Sequence, residues 1–186
     1  MTAAGAVQTP GSLGTRIHIG SQIYNEIAEF LFEEAGHLDR LDLLKWADML
    51  AEDLVYTVPM RLNRPLADQE ASVVRSVKHL DETKASILTR IARLTKTKSA
   101  WAEDPPSRQR RLVTNILVNA TTRPDEFSVV SYLLLTRNRF NQEQYQLMSA
   151  ERTDTIRRTP AGLKLAFREV LLDQATLGMP NLAIFL

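Results

Sequence analysis

The sequence predicts an α+β fold in which three N-terminal helices pack on a strongly curved, mainly antiparallel sheet shaped as an open cone. Three observations carry this. Apolar residues recur at three- and four-residue spacing in the first hundred positions, interrupted once by an alternating run. From Arg108 onwards the runs are long, apolar-rich and separated by short turns. Thr159-Pro160-Ala161-Gly162 then joins two such runs, with Pro suited to the second position of a type I turn and Gly to the positive φ that follows it. Helices first and consecutive strands afterwards make an α+β chain, and twist and bulges curve its sheet around the helices.

Residues 1–15 are small, Gly-containing and uncharged up to Thr15, which predicts a flexible N-terminal arm. Residues 16–186 are expected to form one domain. From Ser21, a suitable N-cap, Ile23, Ile27, Phe30, Leu31 and Leu38 mark a helix with Glu26, Glu29, Glu33 and Glu34 between them. After Gly36-His37 a second helical pattern covers Leu41, Leu44, Ala47, Leu50 and Ala51 beside Trp46, with Asp39 or Asp42 available to cap it. Leu54, Tyr56 and Val58 then alternate as a first strand, and Pro59 marks an edge or a bend. Arg61 to Lys78 shows no sustained period and reads as a long excursion. Asp81 and Glu82 open a third helix through Ile87, Leu88, Ile91 and Leu94, with Arg90, Arg93, Lys96 and Lys98 towards its end matching the helix dipole.

The next run, Arg108 to Thr121, alternates Leu112, Thr114, Ile116 and Val118 with Val113, Asn115, Leu117 and Asn119. Phe127 to Arg139 is apolar on both faces, which predicts cover on both sides. The long hairpin follows over Tyr145 to Asp173. If Thr159 faces Leu163, counting back sets Asp154 opposite Arg168, Thr153 opposite Glu169 and Arg152 opposite Val170. Charges in mid-strand require partners, within the sheet or on another chain, because an unpaired ion in a desolvated strand is costly. The apolar tail Met179 to Leu186 is expected to dock.

At 186 residues the chain can bury roughly 70% of the surface that its unfolded form exposes. With no cysteine it can form neither disulfides, thiolate nucleophiles nor Cys-type metal sites. Lysine plus arginine number 23 against 22 acids, a net charge of +1, which gives no general reason to expect nucleic acid or a membrane as partner. No secretory pattern and no run near ~18 apolar residues is present, so a cytoplasmic protein is expected.

The three histidines, His18, His37 and His79, stand far apart, and there is no P-loop, GxGxxG or GxSxG motif. The candidates for acid–base work in a cone mouth are Tyr56, Asp53, His79 and Asp81; each also has an ordinary structural role as strand, helix-end or cap residue. Trp101, the prolines 105 and 106, Arg108 and the Arg110-Arg111 pair read as an aromatic and cationic surface suited to a protein interface, or as a solvated strand start.

Five stretches carry a family resemblance by their order and spacing: EFLFEEAGHLDRLDLLKWADMLAEDLVYTVPM, WAEDPPSRQRRLVTNILV, ERTDTIRR, LKLAFREVLLD and NLAIFL. Together they resemble the beta, or small, subunits of bacterial aromatic-ring-hydroxylating dioxygenases, Rieske non-haem iron oxygenases of the biphenyl and naphthalene dioxygenase kind. The family has a glycine commonly just before the Glu-Arg pair, where this chain has Ser149-Ala150. The resemblance implies a cone of the nuclear-transport-factor type and a structural subunit without an active site of its own. It implies a catalytic alpha subunit as partner, in an α3β3 hexamer with beta–beta trimer contacts. That alpha subunit would carry a Rieske [2Fe-2S] cluster and mononuclear Fe(II), and NADH would supply electrons through a reductase and a ferredoxin. Trp101, Arg108, Arg110, Glu151, Arg152, Asp154, Arg168 and Glu169 are then the candidates for subunit contacts or structural ion pairs. The competing expectations are a free-standing cone-fold acid–base enzyme, such as a dehydratase or isomerase, and a transport or scaffold module.

Overall fold

A computed structural model describes residues 14–96, 103, 105–140, 143–178 and 181–186. The expected arm thus falls almost wholly outside the described residues, as does Trp101. A two-residue strand, β1 (Arg16–Ile17), leads into helix α1 (Gln22–Asp39), which Ser21 caps by accepting a hydrogen bond from Tyr24 N at 3.4 Å. Helix α1 does not stop at Gly36. The reversal comes five residues later, where Leu41 takes φ 61°, and α2 (Leu43–Asp48) is correspondingly short. Its buried face is Leu43, Trp46 and Ala47, while Leu41 and Leu44 face outward. Asp42 holds the N-cap position without capping, because its carboxylate turns to Arg40 and His37.

Leu50 and Ala51, expected in the second helix, begin strand β2 (Leu50–Arg61), where Leu50 pairs with Leu165. Sheet pairing outweighs the helical spacing there. Leu54, Tyr56 and Val58 face inward as read, and the register shifts on either side of Pro59, a bend within the sheet rather than at its edge. The excursion contains more structure than expected. After 3₁₀ turns over Leu66–Ser72 comes strand β3 (Val73–Glu82). It lies at the sheet edge with much of its length in water, so neither face imposes an alternation that the sequence could display. Asp81 and Glu82 belong to β3 rather than to the helix start. Helix α3 (Lys84–Lys96) is capped instead by Thr83 and Ser86, each side-chain oxygen accepting from the other's backbone N–H.

Strands β4 (Arg108–Ala120), β5 (Glu126–Asn138), β6 (Gln146–Thr159) and β7 (Gly162–Leu172) follow in antiparallel succession. The sheet order is β1-β4-β5-β6-β7-β2-β3, with β2 parallel to β7 and every other pair antiparallel. The simple alternation read for β4 is broken at Asn115, whose φ of 53° accompanies a register shift. Val113 points inward before the bulge, and Ile116 and Val118 after it. Helix α1 also guards the free edge of β4: Tyr24 donates its hydroxyl to Ile116 O, and Asp39 accepts from Arg111 N.

The hairpin register holds for a reason that the turn alone does not supply. Thr159 pairs with Gly162, not Leu163, so the loop is one residue tighter than counted. Gly162 has φ 101°, as its position required. A bulge at Ala166 then shifts the ladder by one, between Ile156↔Leu165 and Thr155↔Phe167. The two displacements cancel, and Asp154↔Arg168, Thr153↔Glu169 and Arg152↔Val170 stand as expected. The core lies between the inner sheet face and the helices, where Ile27, Leu31, Leu38, Trp46, Ile87 and Ile91 pack with the strands. Ile184, Phe185 and Leu186 dock into it and are buried. Among the described residues none covers the outer face of β5: Tyr132 and Leu134 are exposed there, contrary to the expectation of cover on both sides. No helix among the described residues is long and apolar enough to cross a membrane.

Candidate functional site

The interior of the cone holds a charged cluster. Because β6 and β7 alternate, Arg152 and Asp154 share the inward face of β6 and Arg168 points inward from β7. Arg168 forks between two carboxylates. Its Nε and Nη2 donate to Asp154 Oδ1 and Oδ2 at 2.8 and 2.7 Å, and its Nη1 and Nη2 donate to Glu34 Oε1 and Oε2 at 2.7 and 2.8 Å. Glu34 comes down from α1 and also accepts from Trp46 Nε1 at 3.1 Å. Arg152 Nη1 stands 3.5 Å from Glu34 Oε2, and its Nε donates to Ser131 Oγ at 3.3 Å. All four charged residues are buried. Two guanidiniums and two carboxylates cancel, which is the condition for keeping such a set out of water.

Burial alone would raise the Glu34 pKa, but the charges of Arg168 and Arg152, with hydrogen bonds from Arg168 and Trp46, bring it below the ordinary glutamate value. Burial likewise pulls Arg168 down, and the Asp154 and Glu34 carboxylates reverse this and raise it well above its usual value. Arg152 is brought to about 10 by burial first and by the neighbouring Arg168 charge second, and remains a cation at neutral pH.

The tail closes the interior. Tyr56 donates its hydroxyl to Leu186 O and accepts from Leu186 N, both at 2.9 Å, and Arg168 Nη1 donates to the same carbonyl at 3.0 Å. Phe185 lies with its ring centroid 4.5 Å from that of Trp46, and the Arg90 guanidinium stands over the Phe185 ring, 4.5 Å from its centroid. A cleft of about 100 Å³ beside this plug is lined chiefly by Leu38, Leu43, Leu94, Gln109, Arg111 and Phe185. The space in which a cone could receive a small molecule is thus largely filled by Trp46, Tyr56, Arg168, Phe185 and Leu186.

The acid–base candidates do not converge. Tyr56 is buried against Leu186, and burial raises its pKa. Asp53 faces outward and accepts from Arg157 Nη1 at 2.8 Å; that hydrogen bond, ahead of the opposing effect of its partial burial, lowers its pKa. His79 and Asp81 sit on the edge strand β3, where Asp81 pairs with Lys78 at 3.0 Å. Among the described residues no group of three or more metal-ligating side chains comes together.

The interface candidates divide. Asp154, Arg168 and Arg152 belong to the buried cluster. Glu169 is on the outer face and accepts twice from Arg75, at 2.8 Å each, across β2. Glu151 also points outward, between buried Ala150 and Arg152. Arg108 donates to Asn138 Oδ1 and Phe140 O at 2.7 Å each, and Arg110 is exposed. Arg111, grouped above with the cationic surface, is instead buried. Asp39 accepts from its Nη1 at 2.6 Å, and Gln109 and Phe185 O accept from its Nη2.

Glu34, the hub of the cluster, went unread among the solvent-facing acids of α1. The signal was present: Ile27, Leu31, Glu34 and Leu38 follow at intervals of four, three and four, which puts Glu34 in phase with the apolar stripe.

With this geometry in place, three comparisons bear on the chain. A family model described as ring hydroxylating beta subunit matches residues 33–179. The beta subunit of biphenyl 2,3-dioxygenase from Rhodococcus jostii (strain RHA1) is 34% identical over 171 residues, covering 90% of each chain. That of 3-phenylpropionate/cinnamic acid dioxygenase from Photorhabdus laumondii is 36% identical over 169 residues, covering 89% of this chain and 93% of the relative. A naphthalene 1,2-dioxygenase structure with indole in the active site superposes with a TM-score of 0.76 at 22% identity, over 87% of this chain and 84% of that one.

Proposed function

Because the chain belongs to the family of ring-hydroxylating dioxygenase beta subunits, we propose that it acts within the oxygenase as a subunit with no active site of its own. It is a structural beta subunit of the terminal oxygenase component of an aromatic-ring dioxygenase. The holoenzyme adds both atoms of O2 to an aromatic ring to give a cis-dihydrodiol, and the catalysis belongs to the alpha subunit. Residues 16–186 act as one cone-shaped domain in an α3β3 assembly in the cytoplasm. NADH supplies electrons through a reductase and a ferredoxin.

One observation supports the division of labour above the rest: the interior of the cone is occupied by the chain's own charged cluster and by Phe185 and Leu186, where a cone-fold enzyme would admit substrate. The donor chemistry agrees. A chain without cysteine offers no sulfur ligand to a Rieske cluster, which supports placing that cluster in the alpha subunit.

The test is reconstitution. The chain is purified alone and with its iron-bearing partner, and iron, acid-labile sulfide and dihydrodiol formation are measured. The expected result is product and iron only with the partner present. Turnover by this chain alone, or iron stoichiometrically bound to it, would overturn the reading.

A further inference from the structure

We propose that the cleft beside the docked tail binds a neutral molecule of about one ring in size, apolar except for one acceptor oxygen that takes a hydrogen bond from the Gln109 amide. Such a site goes beyond the subunit reading and does not depend on it. Five elements meet at the cleft: α1 with Leu38, α2 with Leu43, α3 with Leu94, β4 with Gln109 and Arg111, and the tail with Phe185. Leu38, Leu43 and Phe185 belong to the packed core, so much of the wall is apolar and fixed in place. At about 100 Å³ the space is on the scale of a dry cavity of roughly 150 Å³ that takes up benzene.

One amide defines the polar side. Gln109 is only 7% exposed, and Arg111 Nη2 donates to its Oε1 at 2.8 Å. A guanidinium can only donate, so this contact fixes which end of the amide is oxygen. The other end, Nε2, carries two N–H groups and has no hydrogen-bond partner among the described residues. A donor so far removed from bulk water is costly to leave unmet, and an acceptor oxygen in the cleft relieves that cost. Water fills the place poorly, because a confined water needs several polar partners and most of this wall is apolar. An ion gains nothing there either. Arg111 is already balanced by Asp39 at 2.6 Å, and Glu103, which also lines the cleft, by Arg137. A charged ligand would give up its hydration without finding an opposite charge in need of a partner. The wall thus selects an apolar body, the paired charges select neutrality, and the amide selects an acceptor such as a ketone.

The full chain, labelled with a nitrogen isotope, is titrated with cyclohexanone and followed by the resonances of its side-chain amides. Saturable shifts are expected, the Gln109 pair among them, identified by its absence from the spectrum of Gln109→Glu. Cyclohexanecarboxylate and cyclohexylammonium, which match the ring but carry a charge, are expected to bind at least about tenfold more weakly. Gln109→Glu keeps the oxygen that Arg111 requires and replaces only the donor. It should weaken cyclohexanone by at least about threefold and turn the preference towards cyclohexanol, whose hydroxyl can donate to the introduced carboxylate. Shifts that stay linear to the solubility limit, charged analogues that bind as tightly as the ketone, or a folded Gln109→Glu chain with the ketone affinity unchanged would overturn the proposal. Should that variant fail to fold, the three ligands on the natural chain still decide it. The titration uses no partner subunit, so a failed reconstitution would count against the subunit reading alone.

Discussion

Replacing Asp154 by alanine removes one carboxylate from a cluster in which two carboxylates balance two guanidiniums, and leaves a net charge of +1 with no access to water. Asp154 and Arg168 are both buried, and their contact is bidentate at 2.7 and 2.8 Å. Breaking one side of such a pair costs about 3–5 kcal/mol, against about 1 or less for an exposed one. For a chain of this size, with roughly 2–4 °C of melting temperature per kcal/mol, the expected loss is on the order of 6–20 °C. Arg168 keeps Glu34 as a second partner, which places the effect towards the lower half of the range. The assay is a double-mutant cycle of Asp154→Ala and Arg168→Met, followed by urea unfolding. A coupling energy of about 2 kcal/mol or more is expected. Coupling below about 0.5 kcal/mol would refute the argument that burial makes this pair strong.

Acid should act through the same cluster. The Glu34 pKa is lowered in the folded chain, so its contribution to stability is complete above the unfolded value near 4.5 and is lost as pH falls through the folded value. The slope of stability against pH below about 4.5 should therefore be shallower in Glu34→Gln than in the natural chain, as read from urea midpoints. Phe185→Ala removes a buried ring that contacts both Trp46 and Arg90 and should cost about 3–5 kcal/mol, with a shift in Trp46 fluorescence reporting the same loss. Gly162→Ala puts a Cβ on a residue with φ 101° in open space; strain alone should cost about 1–2 kcal/mol, measurable by chemical denaturation, with the hairpin register retained.

Much of the architecture was legible because burial writes itself into the sequence at two periods. The stripe of α1 and the alternation of Leu54, Tyr56 and Val58 are consequences of one buried face each. The turn at Thr159 to Gly162 was readable from backbone restrictions that proline and glycine carry with them. Strand β3 was not legible, since an edge strand bathed in solvent has no face that demands apolar residues. The boundary at Leu50 was missed because an apolar residue ending a helical stripe looks the same as one beginning a strand; only pairing with Leu165 decides it.

The α+β class, the place of the hairpin turn and the family resemblance were carried in the chain itself, because each depends on local periodicity, turn chemistry or ordered stretches of residues, whereas the pairing of Asp154 with Arg168 needed the tighter turn and the bulge at Ala166 to offset each other. The tertiary structure decided what the charges do. Only the descent of α1 onto the sheet brings Glu34 to Arg168, 134 positions away, and only the docked tail sets Phe185 on Trp46 and Leu186 on Tyr56. It also separated Arg110 from its neighbour Arg111, one in water and one buried, since strand alternation sends adjacent residues to opposite faces and only the fold says which face is the core.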